Sequence, residues 1–247
     1  MRWAGHGVIV LLLTVVTQLG GLAWLIALMT RRRLVSFVLA YGVIWMAAYA
    51  LAPVTGRVPL PCLQEPLRMQ SPAYCVLMRN YVSPDLADAA HRAARQVAEA
   101  YPDTVTLALD GGFPFLDGFP LLPHLSHADG DKLDFAFYYT DPGGHYLRGK
   151  TRSPIGYWAF ETPEAQICPN RRWTLRWDMR ALQPLWPNRP IETARTRVLI
   201  TALMTDPRIT KLFVEPPLAQ RLGVQGAKLR FQGCRAARHD DHIHVQL

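Results

Sequence analysis

Apolar positions crowd the start of the chain and then settle into short periodic runs. Residues 3–29 (WAGHGVIVLLLTVVTQLGGLAWLIALM) carry no formal charge. Arg31-Arg32-Arg33 follows, and a second uncharged stretch runs from Leu34 to Val54. A membrane-crossing helix needs about 20 apolar residues, so the pattern predicts a transmembrane hairpin over 1–53, with spans at about 5–29 and 34–52. Trp3, Trp24, Trp45 and Tyr49 suit the membrane interfaces. A signal peptide would have a shorter apolar region and a small-residue cleavage site. The three arginines belong on the cytoplasmic side by the positive-inside rule, which places both chain ends outside the cytoplasm.

Beyond the spans the periodicity shortens. Residues 54–82 contain the proline-rich run PVTGRVPLPCLQEPLRMQSP and read as a linker and lead-in. Ser83-Pro84 opens a helix, with Ser as N-cap and Pro at the first position, and Tyr101-Pro102 closes it. Alternation over Thr104–Leu109 predicts a strand ending at Asp110-Gly111-Gly112, and Phe113 to Gly130 reads as a long loop. KLDFAFYY from Lys132 is strand-like, Asp141-Pro142-Gly143-Gly144 is a turn, and 145–190 is irregular. Pro190 to Met204 reads as a helix, Ile209–Val214 as a strand, Pro217–Leu222 as a short helix and His242–Leu247 as a strand. The fold class that follows is α+β, one domain over 83–247 with a central antiparallel sheet. Trp158, Trp173, Trp177 and Trp186 are expected to pack in the core and loops.

Charge and cysteine usage refine this. The net charge is +8, but residues 1–52 hold four arginines and no acid, leaving 23 basic against 19 acidic residues and a balance of +4. That argues against a basic nucleic-acid binder. Cys62, Cys75, Cys168 and Cys234 all lie outside the spans, as disulfides in an oxidising compartment would. Four cysteines allow three pairings; Cys62–Cys75 with Cys168–Cys234 is the favoured one. The absence of a CxxC pair argues against a four-cysteine zinc site.

Two clusters carry the chemistry: Ser126-His127-Ala128-Asp129-Gly130-Asp131-Lys132-Leu133-Asp134, and His239-Asp240-Asp241-His242-Ile243-His244. Six of the eight histidines fall within 124–145 or 239–244. On a strand, His242 and His244 leave the same face, and Gly130 permits a tight path between His127 and Asp134. A catalytic zinc takes three protein ligands and keeps one position open. His127, Asp134 and His244 supply those ligand types, with His242 beside the open position. Asp129, Asp131, Asp240 and Asp241 are candidates to orient the histidines. Lys132, Arg148, Lys150 and Arg152 are candidates to line a groove for carboxylate-bearing peptides.

The patterns SH-x-x-G-x-x-x-D and H-x-x-H-x-H, with FPLLPHLSHADGDKLDFAF and ITKLFVEPPL around them, resemble the penicillin-insensitive murein endopeptidases. More broadly they are similar to the zinc peptidases grouped with lysostaphin, D-Ala-D-Ala carboxypeptidases and the hedgehog domain. The resemblance covers roughly 105–247. It implies Zn2+ held by His127, Asp134 and His244, with His242 as base or polarising the metal water, and His239, a second catalytic-site histidine, matching the first His of the endopeptidase tail or orienting a neighbour. A strand running through 239–244 would turn His239 to the opposite face from His242. The resemblance further implies hydrolysis of amide bonds in peptidoglycan stem peptides or cross-links, outside a bacterial cytoplasmic membrane, in the periplasm or cell exterior. The alternatives are a D,D-carboxypeptidase or dipeptidase of the same group, and a non-catalytic zinc-stabilised domain that binds wall peptides or a protein.

Overall fold

The computed structural model describes residues 2–161, 168–169 and 173–247; part of the segment expected to be irregular, 145–190, thus lies outside the described residues. The first apolar stretch does not form one span. It divides into helix α1 (Arg2–Thr17) and helix α2 (Gly20–Ala27), because Gln18 adopts a φ of +65° and stops the first helix. The two helices fold back on each other. A Cβ on Gly21 would collide with Thr14 Oγ1 and lie 2.7 Å from the Val10 carbonyl, so this close crossing needs glycine. His6 lies 3.2 Å from the Arg33 guanidinium, which puts the start of the chain on the same side as the three arginines. The expected hairpin of two spans is corrected on this point. Among the described residues one helical stretch, Arg33–Thr55, is long and apolar enough to cross a membrane. It consists of α3 (Arg33–Leu51) and a 3-10 turn, Ala52–Thr55.

The proline-rich stretch after α3 is built into the fold. Strand β1 (Val58–Pro59) pairs antiparallel with β3 (Tyr81–Val82). Leu67 and Met69 are buried on either side of Arg68 and form β2 (Leu67–Met69), which enters the main sheet. The short helix α4 (Pro72–Val76) follows, tied back by the Cys62–Cys75 disulfide.

The main sheet has the order β2-β4-β5-β8-β6-β7. Its further members are β4 (Thr106–Ala108), β5 (Lys132–Ala136), β6 (Lys211–Phe213), β7 (Leu229–Arg230) and β8 (His242–Gln246). The central pairs β4–β5, β5–β8 and β8–β6 are antiparallel. The two edge pairs, β2–β4 and β6–β7, are parallel. The architecture is therefore mixed α/β with a mixed sheet, which corrects the expectation of an antiparallel one. Both parallel edges arise from short segments that carried no alternation long enough to read.

One face of the sheet is apolar. Leu133 and Phe135 of β5 and Ile243 and Val245 of β8 are fully buried, in a core shared with two helices. Helix α5 (Pro84–Ala100) contributes Leu86, Ala90, Ala93, Ala94 and Val97, and helix α6 (Thr193–Thr205) contributes Leu199, Ile200 and Leu203. Ser83 holds the N-cap position of α5, yet its hydroxyl makes no capping bond; Pro84 alone marks the start. Helix α7 (Pro216–Leu222) ends at Gly223 in a left-handed cap. The period of two sends the alternate residues Asp134, His242 and His244 to the opposite face. That face is covered by the loops between β4 and β5 and between β5 and α6. The Cys168–Cys234 disulfide ties the second of these to the segment before β8.

Candidate metal centre

Strand pairing sets the first two donors. Asp134 on β5 and His244 on β8 are directly opposite in register, with Asp134 Oδ1 2.7 Å from His244 Nδ1. His127 comes from the loop before β5; its Nε2 lies 3.1 Å from His244 Nδ1 and 3.3 Å from Asp134 Oδ1. Gly130 turns that loop at a φ of +77°, packed against the Arg57 side chain. The three residues are buried and their ligand atoms lie within 4.8 Å of one another, a group able to hold a metal ion.

Each donor is oriented from behind. His127 Nδ1 donates to the Gly111 carbonyl at 2.8 Å, leaving the Nε2 lone pair for a metal. Asp134 Oδ2 accepts from the Tyr157 hydroxyl at 2.8 Å, which leaves Oδ1 for the centre. His244 Nε2 lies 3.0 Å from the Gln246 side-chain amide. A proton on that nitrogen, accepted by the amide oxygen with the amide turned over, frees Nδ1. Two imidazole nitrogens and one carboxylate fit zinc with an open position, and they accept other divalent metals.

Burial would lower the His127 pKa, but Asp134 raises it, so a metal ion would enter this centre in competition with protons. Burial works to raise the Asp134 pKa, but the imidazoles of His127, His242 and His244 hold it well below the usual carboxylate range. His239 is pushed well down by burial and by its neighbours His242 and His244, and is neutral. Burial also lowers His244, to about 4, against the pull of Asp134. Burial alone would lower His242 too, yet the Asp241 and Asp134 carboxylates push it up to about 9.

Both further histidines of the terminal cluster stand beside the donors. His242 Nδ1 is 2.6 Å from Asp241 Oδ1, and its Nε2 is 3.7 Å from Asp134 Oδ2. His239 precedes β8 in irregular backbone, so the face-flipping expected of a strand does not occur. Its ring lies 4.9 Å from that of His242 and 5.6 Å from that of His244, against Phe213. Among the four aspartates considered, Asp241 alone orients a histidine of the centre among the described contacts. Asp240 is held by Arg238, and Asp129 by Lys132.

The structure adds residues that the spacing did not reveal. His124 Nδ1 bonds Asp110 Oδ2 at 2.8 Å, and its ring lies 5.6 Å from His127 and 5.9 Å from His242. Asp110 is gripped by Arg79 through two bonds of 2.6 and 2.8 Å. Tyr157 joins the two sets, accepting from the Asp110 backbone N–H at 3.0 Å while donating to Asp134. The clustering of His124 with His127 was the one available signal; Tyr157 stands 23 residues from its partner, in an aperiodic segment.

Two cavities flank His124 and Tyr157. One, of 240 Å³, is lined by Tyr74, Leu77, Arg79, Leu122 and Ile155; the other, of 100 Å³, by Phe160, Trp177, Arg238 and His242. Trp158 lines both. It packs as expected, and its carbonyl accepts from Trp186 Nε1 at 2.9 Å. Trp173 and Trp177, expected to pack, are instead 84% and 55% exposed. The basic residues considered for a groove are mostly engaged elsewhere: Lys132 with Asp129, Arg148 with Glu65, and Arg152 with Glu161. No protein-family model matches the chain, and no curated protein matches it.

Proposed function

We propose that this chain is a membrane-anchored, zinc-dependent peptidase that hydrolyses amide bonds in peptidoglycan stem peptides or their cross-links. The reading places α3 in the cytoplasmic membrane of a bacterium and the sheet domain in the periplasm or at the cell exterior. The observation that carries it is the buried His127–Asp134–His244 group with His242 held beside it by Asp241. The two disulfides support an oxidising compartment.

A bound zinc ion supplies Lewis acidity, polarising a scissile carbonyl and making water nucleophilic near neutral pH. The chain's own residues do the rest. Asp241 accepts the Nδ1 proton of His242 and directs Nε2 at the centre; with its pKa pushed up to about 9 before a metal binds, the ring holds a proton for the leaving amine and, once that is given up, presents Nε2 as a base. His239, neutral and packed on His242, keeps that ring in place. The cavities on either side of His124 and Tyr157 accept the peptide on each side of the scissile bond.

An exopeptidase needs a free cation for the terminal carboxylate. The arginines lining the two cavities, Arg79 and Arg238, are each bonded to a carboxylate, Asp110 and Asp240. That favours internal cleavage over the carboxypeptidase reading. The test is to incubate purified cross-linked peptidoglycan with the full chain in detergent, zinc-loaded and disulfide-intact, beside a His242→Ala variant. Loss of cross-linked dimers with the parent chain alone supports the proposal. Trimmed terminal residues with dimers intact would replace it with the carboxypeptidase. No change, with zinc bound, would replace it with the binding domain.

A further inference from the structure

Helix α3 is held at mid-length by the sheet domain. Tyr41 donates its hydroxyl to the Val76 carbonyl at 2.6 Å, and Trp45 donates its indole N–H to the Cys75 carbonyl at 2.8 Å. With Arg33 at the headgroup level, these side chains lie about 12 Å and about 18 Å along the helix. A bilayer's hydrocarbon layer is about 30 Å thick, so both contacts fall inside it. The turn between α1 and α2 reaches the same level. Gln18 accepts from the Phe115 backbone N–H at 3.2 Å. Leu19, Tyr41, Ile44 and Trp45 pack with Phe115 and Phe119 around the buried Phe113 and Leu121.

Backbone at that depth has to find its hydrogen bonds within protein. The carbonyls of Cys75 and Val76 and the amide of Phe115 do so, each to a side chain of the N-terminal helices. Around these bonds the surface is apolar and open: Val76, Leu116, Leu122 and Leu125 are 49–61% exposed. That is comparable to Val38 and Leu39 on the lipid-facing side of α3, at 66% and 65%. Asp117, the acidic residue of this loop, is paired with the buried Arg57 while its own side chain stays 75% exposed, so the apolar surface is interrupted there. Exposed apolar surface of this kind marks a site of interaction, and here it lies on segments bonded to the N-terminal helices.

We infer that the loop 113–125, with Val76 at the end of α4, enters the acyl-chain layer of the bilayer from its outer face. Its partner is the lipid itself. This inference rests on the membrane-anchored reading of α3. It has a consequence for substrate class. The loop leads directly into His124 and His127, and Leu77 and Leu122 form the apolar side of the 240 Å³ cavity that ends at Arg79 and His124. The metal centre is then held at the bilayer surface and serves peptides presented there, ahead of those in the distant wall.

The test places a photo-crosslinking p-benzoylphenylalanine at Leu116, Leu122 or Leu125 of the full chain, in vesicles of phosphatidylethanolamine and phosphatidylglycerol. Leu185, 68% exposed and lining a different cavity with Arg68 and Arg189, is the control. Irradiation is expected to give several-fold more lipid adduct, by mass spectrometry, at the three loop positions than at Leu185. All three are surface leucines, so substitution leaves the core untouched. Alkaline carbonate extraction separates the two claims. A chain that stays with the vesicles but gives no excess adduct at any of the three overturns the inference and leaves the anchor standing. Release of the whole chain by carbonate overturns the anchor as well. Neither readout depends on peptidase activity.

Discussion

Asp134 and His244 stand directly opposite each other on adjacent antiparallel strands, Oδ1 to Nδ1 at 2.7 Å, with nothing exposed on either side chain beyond a few percent. The metal donors thus inherit the precision of the β5–β8 ladder. On the reverse face Leu133 pairs with Val245 and Phe135 with Ile243, so the register is fixed by apolar burial independently of the donors.

It follows that His244→Ala removes zinc binding without unfolding the sheet. The full chain is expected to bind one zinc and the variant to lose stoichiometric binding, by metal analysis after dialysis. Far-UV circular dichroism should be unchanged. Retention of one tightly bound zinc in the variant would show that the donors are others.

Tyr157→Phe tests the orientation of Asp134. The hydroxyl is the sole described donor to Oδ2, and its loss also leaves the buried Asp110 N–H without its acceptor. Removing a group that orients a ligand costs about 10–100-fold in metal affinity. Zinc competition with a chelating dye should show a drop of that order, with the fold retained.

The Arg79–Asp110 pair predicts a pH effect. Burial would raise the Asp110 pKa, but Arg79 and His124 hold it below the ordinary value. A carboxyl depressed in the native state contributes stability above its unfolded pKa of about 4, and that contribution is lost as pH falls through the native value. Stability should therefore decline in acid below about pH 4, and Asp110→Asn should flatten that decline. Arg79→Met, which strands a buried carboxylate, should destabilise the chain by about 3–5 kcal/mol at neutral pH. Denaturant melts across pH measure both; an unaltered acid limb in Asp110→Asn would exclude this origin.

Reduction of the disulfides should be unequal. Cys168–Cys234 spans 66 residues and Cys62–Cys75 spans 13. By loop-closure entropy the longer bridge contributes about 4 kcal/mol and the shorter about 3 kcal/mol. Paired Cys→Ser variants, compared by thermal unfolding, should rank in that order.

The legible part of this molecule was what local period and spacing encode. The alternation HIHVQ placed His242 and His244 on one face, and SHADGDKLD tied His127 to Asp134 across a turn that glycine makes possible. The Ala-rich repeat over 84–100 gave α5 to the residue. What failed was set by distant contacts. Residues 5–29 have the hydropathy of a span, but the Phe115 amide bonds Gln18 and Gly21 admits α1, neither of which a hydropathy window registers. Leu67–Met69 is too short to show alternation against its prolines, and joins the sheet only because β4 offers an edge. Tyr157, Asp110 and Arg79 come from three separate segments without periodicity, so their meeting is a property of loop packing.

Ala48 and Ala52 are 1% and 0% exposed, packed with Met78, Tyr81, Phe113 and Leu121. One continuous helix therefore obeys two rules of substitution. On its exposed side, at Leu34, Val38 and Leu39, any apolar residue satisfies a fluid surround. At Ala48 and Ala52 only a methyl group fits, and Ala48→Leu, harmless on any hydropathy scale, would wedge the helix away from the sheet domain. Helix α3 cannot be exchanged for a generic apolar helix without taking part of the sheet domain's core with it.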